Sequence, residues 1–332
     1  MSSILTNYFN AHRSKADEQS YKFPHNKYNN NMDSSFFRTL RILDGGMGQE
    51  LLRRGLKPTG DLWSASALLD EKYHSLVVDT HLDFIDAGAE VIVTTSFTTR
   101  RKRLQSNNLN NDYFLQANHT AGRLAQEARD KSGKKVLIAA GLPPQNITYK
   151  SEIGNPVEFK QNVFDQAKIL AQYADFFYLD VMSSSEECQL NMGAIADSEL
   201  PVLVGIHLRK NGKLPSGENL KEVVEKCRGD KWIGVILSCV SPEIVEAVLD
   251  SLQNIGIPFG FKINAFVDIP DDWKVNKNGE SPSESLGSRK DLTPEKLSNI
   301  AKKFIDKGAT IIGGCCETTP EHIKALAELR TK

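Results

Sequence analysis

Three of the five cysteines are placed where they could act together on one metal ion. Cys315 and Cys316 are adjacent and follow a short β-branched run, and Gly313 and Gly314 are expected to turn the chain tightly before them. Cys239 follows a separate apolar run. Three thiolates that leave a fourth position open form a catalytic zinc site, because soft sulfur ligands favour zinc over magnesium or calcium. A substrate thiol in that position becomes a sulfur nucleophile, which alkyl transfer to sulfur requires.

Simpler interpretations exist for each of these side chains. Cys239 alone would be an ordinary buried small residue, and the adjacent pair could be a redox switch, although a disulfide between neighbours is strained. Cys188 and Cys227 fall in predicted helices and are interpreted as packing residues. His207, at the end of a predicted strand, is a further candidate metal ligand. His322 lies in the first turn of the last predicted helix and is expected to cap or pack.

The elements that must position the thiols alternate regularly along the chain. Apolar runs predict strands near 41–43, 91–95, 136–140, 176–179, 202–208, 234–237, 259–263 and 310–312. Amphipathic stretches predict helices near 71–87, 112–131, 157–173, 184–197, 217–228, 241–254, 293–307 and 319–331. Eight such units favour a closed barrel over an open sheet. The sequence has no Gly-x-Gly-x-x-Gly or Walker-type loop, so a nucleotide-binding open sheet is not indicated. The predicted fold class is therefore α/β, a single-domain (β/α)8 TIM-type barrel over residues 36–332.

In such a barrel, functional side chains gather at the mouth where the strands end. Several residues lie at or just after the ends of predicted strands, namely Asp44, Gly45, Thr95, Ser96, Phe97, Asp180 and Asn264. Cys239 follows the sixth strand, and Cys315 and Cys316 follow the eighth. The three thiols, although distant in sequence, are thus predicted to face one mouth.

Residues 1–35 differ from the rest of the chain. They are rich in Asn, Ser, Lys and Tyr and show no apolar periodicity. This composition predicts an irregular or disordered arm, to which no function is assigned. The arm could pack against a neighbour, so a homo-oligomer is a possible state.

Composition excludes several classes of partner. A formal net charge of −1 argues against nucleic acid, and the basic cluster at 100–103 is expected to be a solvated turn. No apolar run approaches the ~20 residues that span a bilayer, and no secretory signal is seen, so a membrane partner is not expected. An odd number of cysteines favours a reducing compartment, and the predicted location is cytoplasmic.

Together the residues match a known family. The carriers are Leu43-Asp-Gly-Gly-Met-Gly-Gln-Glu-Leu-Leu-Arg-Arg-Gly55, Leu62-Trp-Ser-Ala65, Ala87-Gly-Ala-Glu-Val-Ile-Val-Thr-Thr-Ser-Phe97 and Gly308-Ala-Thr-Ile-Ile-Gly-Gly-Cys-Cys316, combined with Cys239. From about Arg41 to Arg330 the sequence resembles the homocysteine S-methyltransferase family of zinc-dependent enzymes, which includes the betaine–homocysteine methyltransferases. The resemblance implies a (β/α)8 barrel with Zn²⁺ held by Cys239, Cys315 and Cys316.

The resemblance also implies roles for residues around the metal. Asp44 is similar to the acidic residue that helps to hold the homocysteine amino group. Asp180 stands where the family usually has a Glu, and Ser238 stands where an Asn usually precedes the first zinc cysteine; both side chains are shorter. Trp63 and Phe97 could form an aromatic wall for an onium donor, although core packing explains them as well. The predicted substrate-binding residues are Asp44, Gly45, Trp63, Thr95, Ser96, Phe97, Asp180 and Asn264.

The implied reaction is zinc-dependent methyl transfer from an onium donor to the thiolate of L-homocysteine, giving methionine. Leu62–Ala65 resembles the branch that uses S-methylmethionine or S-adenosylmethionine more than the betaine branch, and betaine remains open. Two alternatives stand beside it: a methyltransferase for another small thiol or selenol, and a non-catalytic homologue that binds zinc and a thiol. The expected partners are small-molecule substrates.

Overall fold

Eight parallel strands form a ring at the centre of the fold. The computed structural model describes residues 35–273 and 282–331 together with Phe23 and Met32. The strands are β1 (Arg41–Ile42), β2 (Val91–Val93), β3 (Leu137–Leu142), β4 (Phe176–Met182), β5 (Val202–Ile206), β6 (Trp232–Val240), β7 (Phe259–Ile263) and β8 (Ile311–Gly314). They pair in the order β1-β8-β7-β6-β5-β4-β3-β2, and a parallel bridge between Leu43 and Val91 joins the two ends. The predicted single-domain (β/α)8 barrel is confirmed.

Helices follow the strands as the alternation predicted. They are Met47–Arg53, Ser66–Leu69, His74–Asp86, Arg101–Gln105, Asn111–Ser132, Pro156–Leu170, Ser185–Ala194, Leu220–Cys227, Pro242–Leu252, Pro282–Leu286, Pro294–Asp306 and Pro320–Ala327. In the described part of the chain, 3-10 segments span Phe36–Arg38, Trp63–Ala65, Glu71–Tyr73 and Glu328–Thr331. Among the helices that are described, none is both long and apolar enough to cross a bilayer.

Local sequence explains where the outer helices begin. Asn155 and Thr293 each precede a proline, and their side chains accept hydrogen bonds from the first backbone N–H groups of the helix. The last helix begins with the capping box formed by Thr319 and His322. His322 Nδ1 accepts from the Thr319 N–H at 3.1 Å, and Nε2 lies 2.9 Å from the Leu292 carbonyl oxygen. The capping role predicted for His322 is confirmed.

Large apolar side chains fill the barrel interior at the end where the strands begin. Phe37 is fully buried and packs edge-on against Phe176, with ring centroids 5.9 Å apart. Gly260 allows β7 to approach β8, because a Cβ there would overlap the carbonyl oxygen of Ile311. Among the described residues, these side chains close the interior at the end where the strands begin.

Most of the predicted N-terminal arm, residues 1–35, lies outside the described residues. The exceptions are Phe23, Met32 and Ser35. The Phe23 ring packs edge-on against Phe164 and Phe177 of the barrel, at centroid distances of 5.3 and 6.1 Å. At least this aromatic residue is docked against the barrel wall.

The basic cluster at 100–103 is not a solvated turn, so that prediction was wrong. Arg100 is 3% exposed and donates to the Pro144 carbonyl oxygen at 2.5 Å and to Thr148 Oγ1 at 3.3 Å. Burial lowers the pKa of Arg100 to about 9. Arg103 pairs with Asp61 at 2.8 Å. The partners of these guanidinium groups come from separate loops, and local charge patterning does not reveal such contacts.

Candidate metal centre

The three predicted thiols meet at the mouth of the barrel. Cys239 Sγ lies 3.7 Å from Cys316 Sγ, Cys315 Sγ lies 4.0 Å from Cys316 Sγ, and all three sulfurs are within 4.8 Å of one another. A zinc ion with Zn–S bonds of about 2.3 Å and tetrahedral angles needs its sulfur ligands about 3.8 Å apart. The donor set and its spacing therefore fit a tetrahedral thiolate site. Within the described ranges, this is the one group of three or more His, Cys, Asp or Glu side chains with metal-binding spacing, and His207 is not part of it.

A bulge in β6 points Cys239 towards the other two thiols. The register with β7 shifts between Ser238 and Val240, and Cys239 has a φ of +55°. Such left-handed backbone is costly for a residue with a side chain, and bulges of this kind re-aim side chains beside functional sites. Asn264 Nδ2 donates to the Cys239 carbonyl oxygen at 2.7 Å and so fixes the bulge.

The two glycines before the cysteine pair are needed because there is no room for a side chain, not because the chain turns sharply there. Gly313 and Gly314 belong to β8, and neither has a left-handed φ. A Cβ on Gly314 would overlap Thr318 Oγ1, and one on Gly313 would lie 2.7 Å from Leu43 Cβ. The chain turns later, at Glu317, whose φ is +66°. The expected tight glycine turn is thus corrected: the glycines let the strand end pack closely beneath the cysteines.

Among the three cysteines of the site, negative charge is favoured on Cys239. Hydrogen bonds with Cys315 and Cys316, joined by one from the Tyr149 hydroxyl at 3.2 Å, hold the pKa of Cys239 well below its usual range. Contact with the Cys239 sulfur raises the pKa of both Cys315 and Cys316. The arrangement favours negative charge at the place where a cation would be held.

Tyr149 is a site residue that the sequence did not predict. Its hydroxyl contacts Cys239 Sγ, and its ring lies 4.4 Å from the His207 ring and 5.8 Å from that of Trp273. Burial, followed by the charge on Cys239, raises the pKa of Tyr149, so the hydroxyl keeps its proton and donates to the sulfur. No motif marks Tyr149, and the only signal was the long segment between β3 and the next long helix.

The floor of the site contains a buried ion pair. Lys262 Nζ, on β7, lies 2.5 Å from Asp44 Oδ1, and Asp44 Oδ2 accepts from the Val93 N–H at 2.7 Å. Burial lowers the pKa of Lys262, but the charge of Asp44 outweighs it, and the net shift is upward. Asp44 therefore already has a cationic partner within the protein.

Asp180 belongs to a second polar group on the floor. Ser238 Oγ donates to Asp180 Oδ1 at 2.6 Å and accepts from the Tyr178 hydroxyl at 2.6 Å. Burial raises the pKa of Asp180, while the Ser238 hydrogen bond and the charge of Lys262 oppose that shift. Asp180 is only partly buried and precedes a second bulge, at Val181, whose φ is +63°. Both bulges thus lie beside groups that face the mouth.

A cavity above the thiols brings most of the predicted residues together. Its lining includes Asp44, Gly45, Trp63, Thr95, Phe97, Asp180, Lys262 and the three cysteines. Ser96 is outside the lining: it is fully buried and donates to the Gly141 carbonyl oxygen at 2.7 Å. Asn264 is also outside this lining and supports the Cys239 bulge. The substrate-binding roles of these residues remain predictions.

Aromatic rings form the walls of the cavity. Phe97, Tyr149 and Trp273 pack around a buried cluster that includes Cys239 and Phe266. Trp63 has a φ of +49°. Its ring lies so close to the backbone that a Cβ on Gly48 would be 2.7 Å from it. Strained backbone of this kind clusters at functional sites.

Gln49 and Trp63, which also line the cavity, each carry a buried hydrogen-bond donor. Trp63 Nε1 is buried and has no hydrogen-bond partner among the described residues. Gln49 Nε2 is buried as well, and its side chain lies beside Cys316: contact with Cys239 raises the pKa of that thiol, and the Gln49 side chain opposes the rise. An unpaired buried donor costs about 1–3 kcal/mol, and such groups in native structures call for an explanation.

Comparisons with known proteins agree with this geometry. A family model described as Homocysteine S-methyltransferase matches residues 41–330. Homocysteine S-methyltransferase 2 of Saccharomyces cerevisiae is 26% identical over 327 residues, covering 86% of this chain and 92% of that protein. Selenocysteine methyltransferase of Astragalus bisulcatus is 22% identical over 326 residues, covering 87% and 91%.

A solved structure supports the fold. The metallated form of the homocysteine methyltransferase MmuM from Escherichia coli matches with a TM-score of 0.71 and 21% identity, covering 87% of this chain and 96% of that one. The family match, in contrast, rests on sequence and spans the barrel and all three thiols. The chain therefore belongs to the homocysteine S-methyltransferase family.

Proposed function

We propose that this chain transfers a methyl group from an onium donor to the sulfur of L-homocysteine, giving methionine, with a zinc ion held by Cys239, Cys315 and Cys316. The observation that carries the proposal is the spacing of the three sulfurs at a mouth that opens into an aromatic cavity. Membership of the family and the names of the relatives support the same reaction.

The cluster formed by Cys239, Cys315 and Cys316 has the chemistry that a zinc ion requires. Its three sulfurs are soft ligands at tetrahedral spacing, and their open side faces the cavity. A zinc ion bound there would lower the pKa of an acceptor thiol beside it, so that the acceptor reacts as a thiolate at neutral pH. Asn264, through the Cys239 carbonyl, and Tyr149, through the Cys239 sulfur, keep the ligand set in place.

The acceptor's polar end would lie on the floor. Asp180 is the carboxylate there that is partly exposed, whereas Asp44 is 1% exposed and already bonded to Lys262 and Val93. The amino group of homocysteine would therefore approach Asp180 first. Asp44 would act on this amino group through its contribution to the net charge of the cavity floor.

The donor would lie against the aromatic wall. A methylated sulfonium or ammonium is attracted to a ring face by about 0.5–2 kcal/mol, and rings of Trp63, Phe97, Tyr149 and Trp273 line the cavity. The acceptor sulfur forms a bond to the methyl carbon as the donor's bond to that carbon breaks. The breaking bond's electron pair stays on the donor heteroatom. Holding both reactants in line in a closed site supplies much of the acceleration.

The choice of donor and acceptor extends the proposal. S-methylmethionine or S-adenosylmethionine is favoured as donor by the Leu62–Ala65 segment, which places Trp63 on the wall. Betaine is the next candidate. A second acceptor class, small selenols, is favoured by the similarity to a selenocysteine methyltransferase.

The test is methyl transfer by purified, zinc-loaded protein. Homocysteine is incubated with S-methylmethionine, S-adenosylmethionine, betaine or dimethylsulfoniopropionate, each carrying a deuterated methyl group, and labelled methionine is measured by mass spectrometry. We expect label from at least one sulfonium donor, and none with the Cys239→Ala variant. If no donor labels methionine, the chain is not a homocysteine methyltransferase, and labelling of an added selenol or other thiol alone would select the second acceptor class.

A further inference from the structure

Lys262 places a cation on the cavity floor between the two thiol-bearing strands. In the sheet register it lies opposite Ser238 of β6 on one side and Gly313 of β8 on the other. These neighbours precede Cys239 by one residue and Cys315 by two. The lysine is 5% exposed, and its side chain lines the cavity. Its ammonium group therefore lies close beneath the proposed metal site.

The ammonium group has hydrogen-bonding capacity left for a ligand. Within the described part of the chain, its hydrogen-bond acceptor is Asp44 Oδ1, at 2.5 Å. The Tyr178 ring centroid is 5.9 Å away and accepts no N–H bond at that distance. Since an ammonium has three N–H donors, two remain for an acceptor that enters from the cavity.

Asp44 holds Lys262 but cannot easily leave it. Its second oxygen accepts the Val93 N–H at 2.7 Å, which ties the carboxylate to β2. An incoming ammonium group would have to displace Lys262 to reach Asp44. Asp180, partly exposed and oriented by Ser238, lines the cavity itself.

We propose that Lys262 binds the carboxylate of the acceptor while Asp180 binds its amino group. The floor then selects a zwitterionic α-amino acid whose thiol or selenol lies a short methylene chain away. This inference rests on the proposed function and adds the residue that recognises the acceptor's acid group.

The test removes one charged group at a time from the acceptor and from the protein. Binding of homocysteine, 3-aminopropane-1-thiol (no carboxylate) and 4-mercaptobutanoate (no amino group) to zinc-loaded protein is measured by calorimetry. In the wild type, loss of the carboxylate should weaken binding about 10- to 100-fold, the range for a hydrogen bond between charged groups. In Lys262→Met the same loss should cost less than about threefold, because its partner is gone.

The controls separate a local effect from general damage. Lys231→Met is matched, because Lys231 donates to the Ala196 and Ser198 carbonyl oxygens at 2.5 Å, before β6 at the opposite end of the barrel. It should leave the carboxylate effect at its wild-type size. If Lys262→Met does not fold, the double variant Asp44→Asn/Lys262→Met, which removes both charges of the pair, is used in the same comparison.

Each outcome decides the inference. An equal carboxylate effect in wild type and Lys262→Met overturns it, as does 4-mercaptobutanoate binding as tightly as homocysteine. If homocysteine binds and is methylated while the comparison shows no coupling, only this inference fails. If no thiol binds the zinc-loaded protein, the proposed function fails with it.

Discussion

Ser238 Oγ lies 2.6 Å from Asp180 Oδ1, and this contact joins the two positions at which the family resemblance predicts a longer side chain. Both side chains are shorter than the expected Asn and Glu. They are adjacent across the barrel interior, and Ser238 is also bonded to the Tyr178 hydroxyl. The two departures therefore form one unit and should be tested together.

Restoring the family's residues one at a time should disturb this unit. Asp180→Glu or Ser238→Asn puts extra atoms into a buried contact, and each should lower the free energy of unfolding by about 1–3 kcal/mol and weaken homocysteine binding. In the double variant, the loss of unfolding free energy should be smaller than the sum of the two single-variant losses by at least about 0.5 kcal/mol. Urea unfolding and calorimetry measure both quantities. Strictly additive losses would show that the two positions are independent.

Removing any one of the three thiols should release the metal. Cys239→Ala, Cys315→Ala and Cys316→Ala each leave two sulfur ligands, too few for a stable thiolate zinc site. We expect about one zinc per chain in the wild type and little in these variants after dialysis, measured by plasma mass spectrometry. Cys188→Ala is the matched control, because Cys188 is fully buried in the helix Ser185–Ala194 outside the thiol group. Near-stoichiometric zinc in all three thiol variants would reject the site.

Close packing at Gly314 should be as important for zinc binding as the sulfur atoms of the adjacent cysteines. Gly314→Ala forces a Cβ against Thr318, and overpacking of this kind costs about 1–3 kcal/mol of stability. The displacement is transmitted to Cys315, so zinc affinity should fall as well. Gly193→Ala is the matched control, because its Cβ would meet only the end of the Lys160 side chain, at 3.3 Å. Unfolding and zinc competition measure both effects; equal behaviour of the two variants would show that close packing at Gly314 is not required.

His81 should make the protein sensitive to acid. It is fully buried beside Thr95, and burial lowers its pKa from 6.5 to about 4. Between those values the unfolded chain binds the proton more readily, so stability is complete above pH 6.5 and is lost as the pH falls towards 4. His81→Gln should reduce the stability lost between pH 7.5 and 4.5 by about 2–3 kcal/mol. Both proteins carry the same thiols, so metal release cancels in this difference, and identical losses would contradict the assignment.

The sequence was sufficient for the barrel and for the thiols because both depend on repeating local signals. Alternating apolar runs mark the strands, and the convergence of strand ends places Cys239 beside Cys315 and Cys316 whatever the loop details. The cytoplasmic location and a homo-oligomer stay predictions.

The missed features depend on contacts between distant segments. Lys262 lies within an apolar strand, and its alternation with Phe261 and Ile263 is the sequence signal that its side chain points inward. Arg100 was assigned to the surface because its carbonyl partner, Pro144, is 44 residues away. The Cys239 bulge has no sequence signal, since the chain carries no glycine at that left-handed position.

X-ray absorption at the zinc edge tests the central claim most directly, because it counts the sulfur atoms around the metal with and without the acceptor. The account predicts three sulfur ligands and one lighter atom in the zinc-loaded protein alone, and four sulfurs at about 2.3 Å after homocysteine is added. Homoserine, which carries a hydroxyl in place of the thiol, should leave the count at three. A sulfur count that does not change with homocysteine, or that is not three without it, would contradict the account.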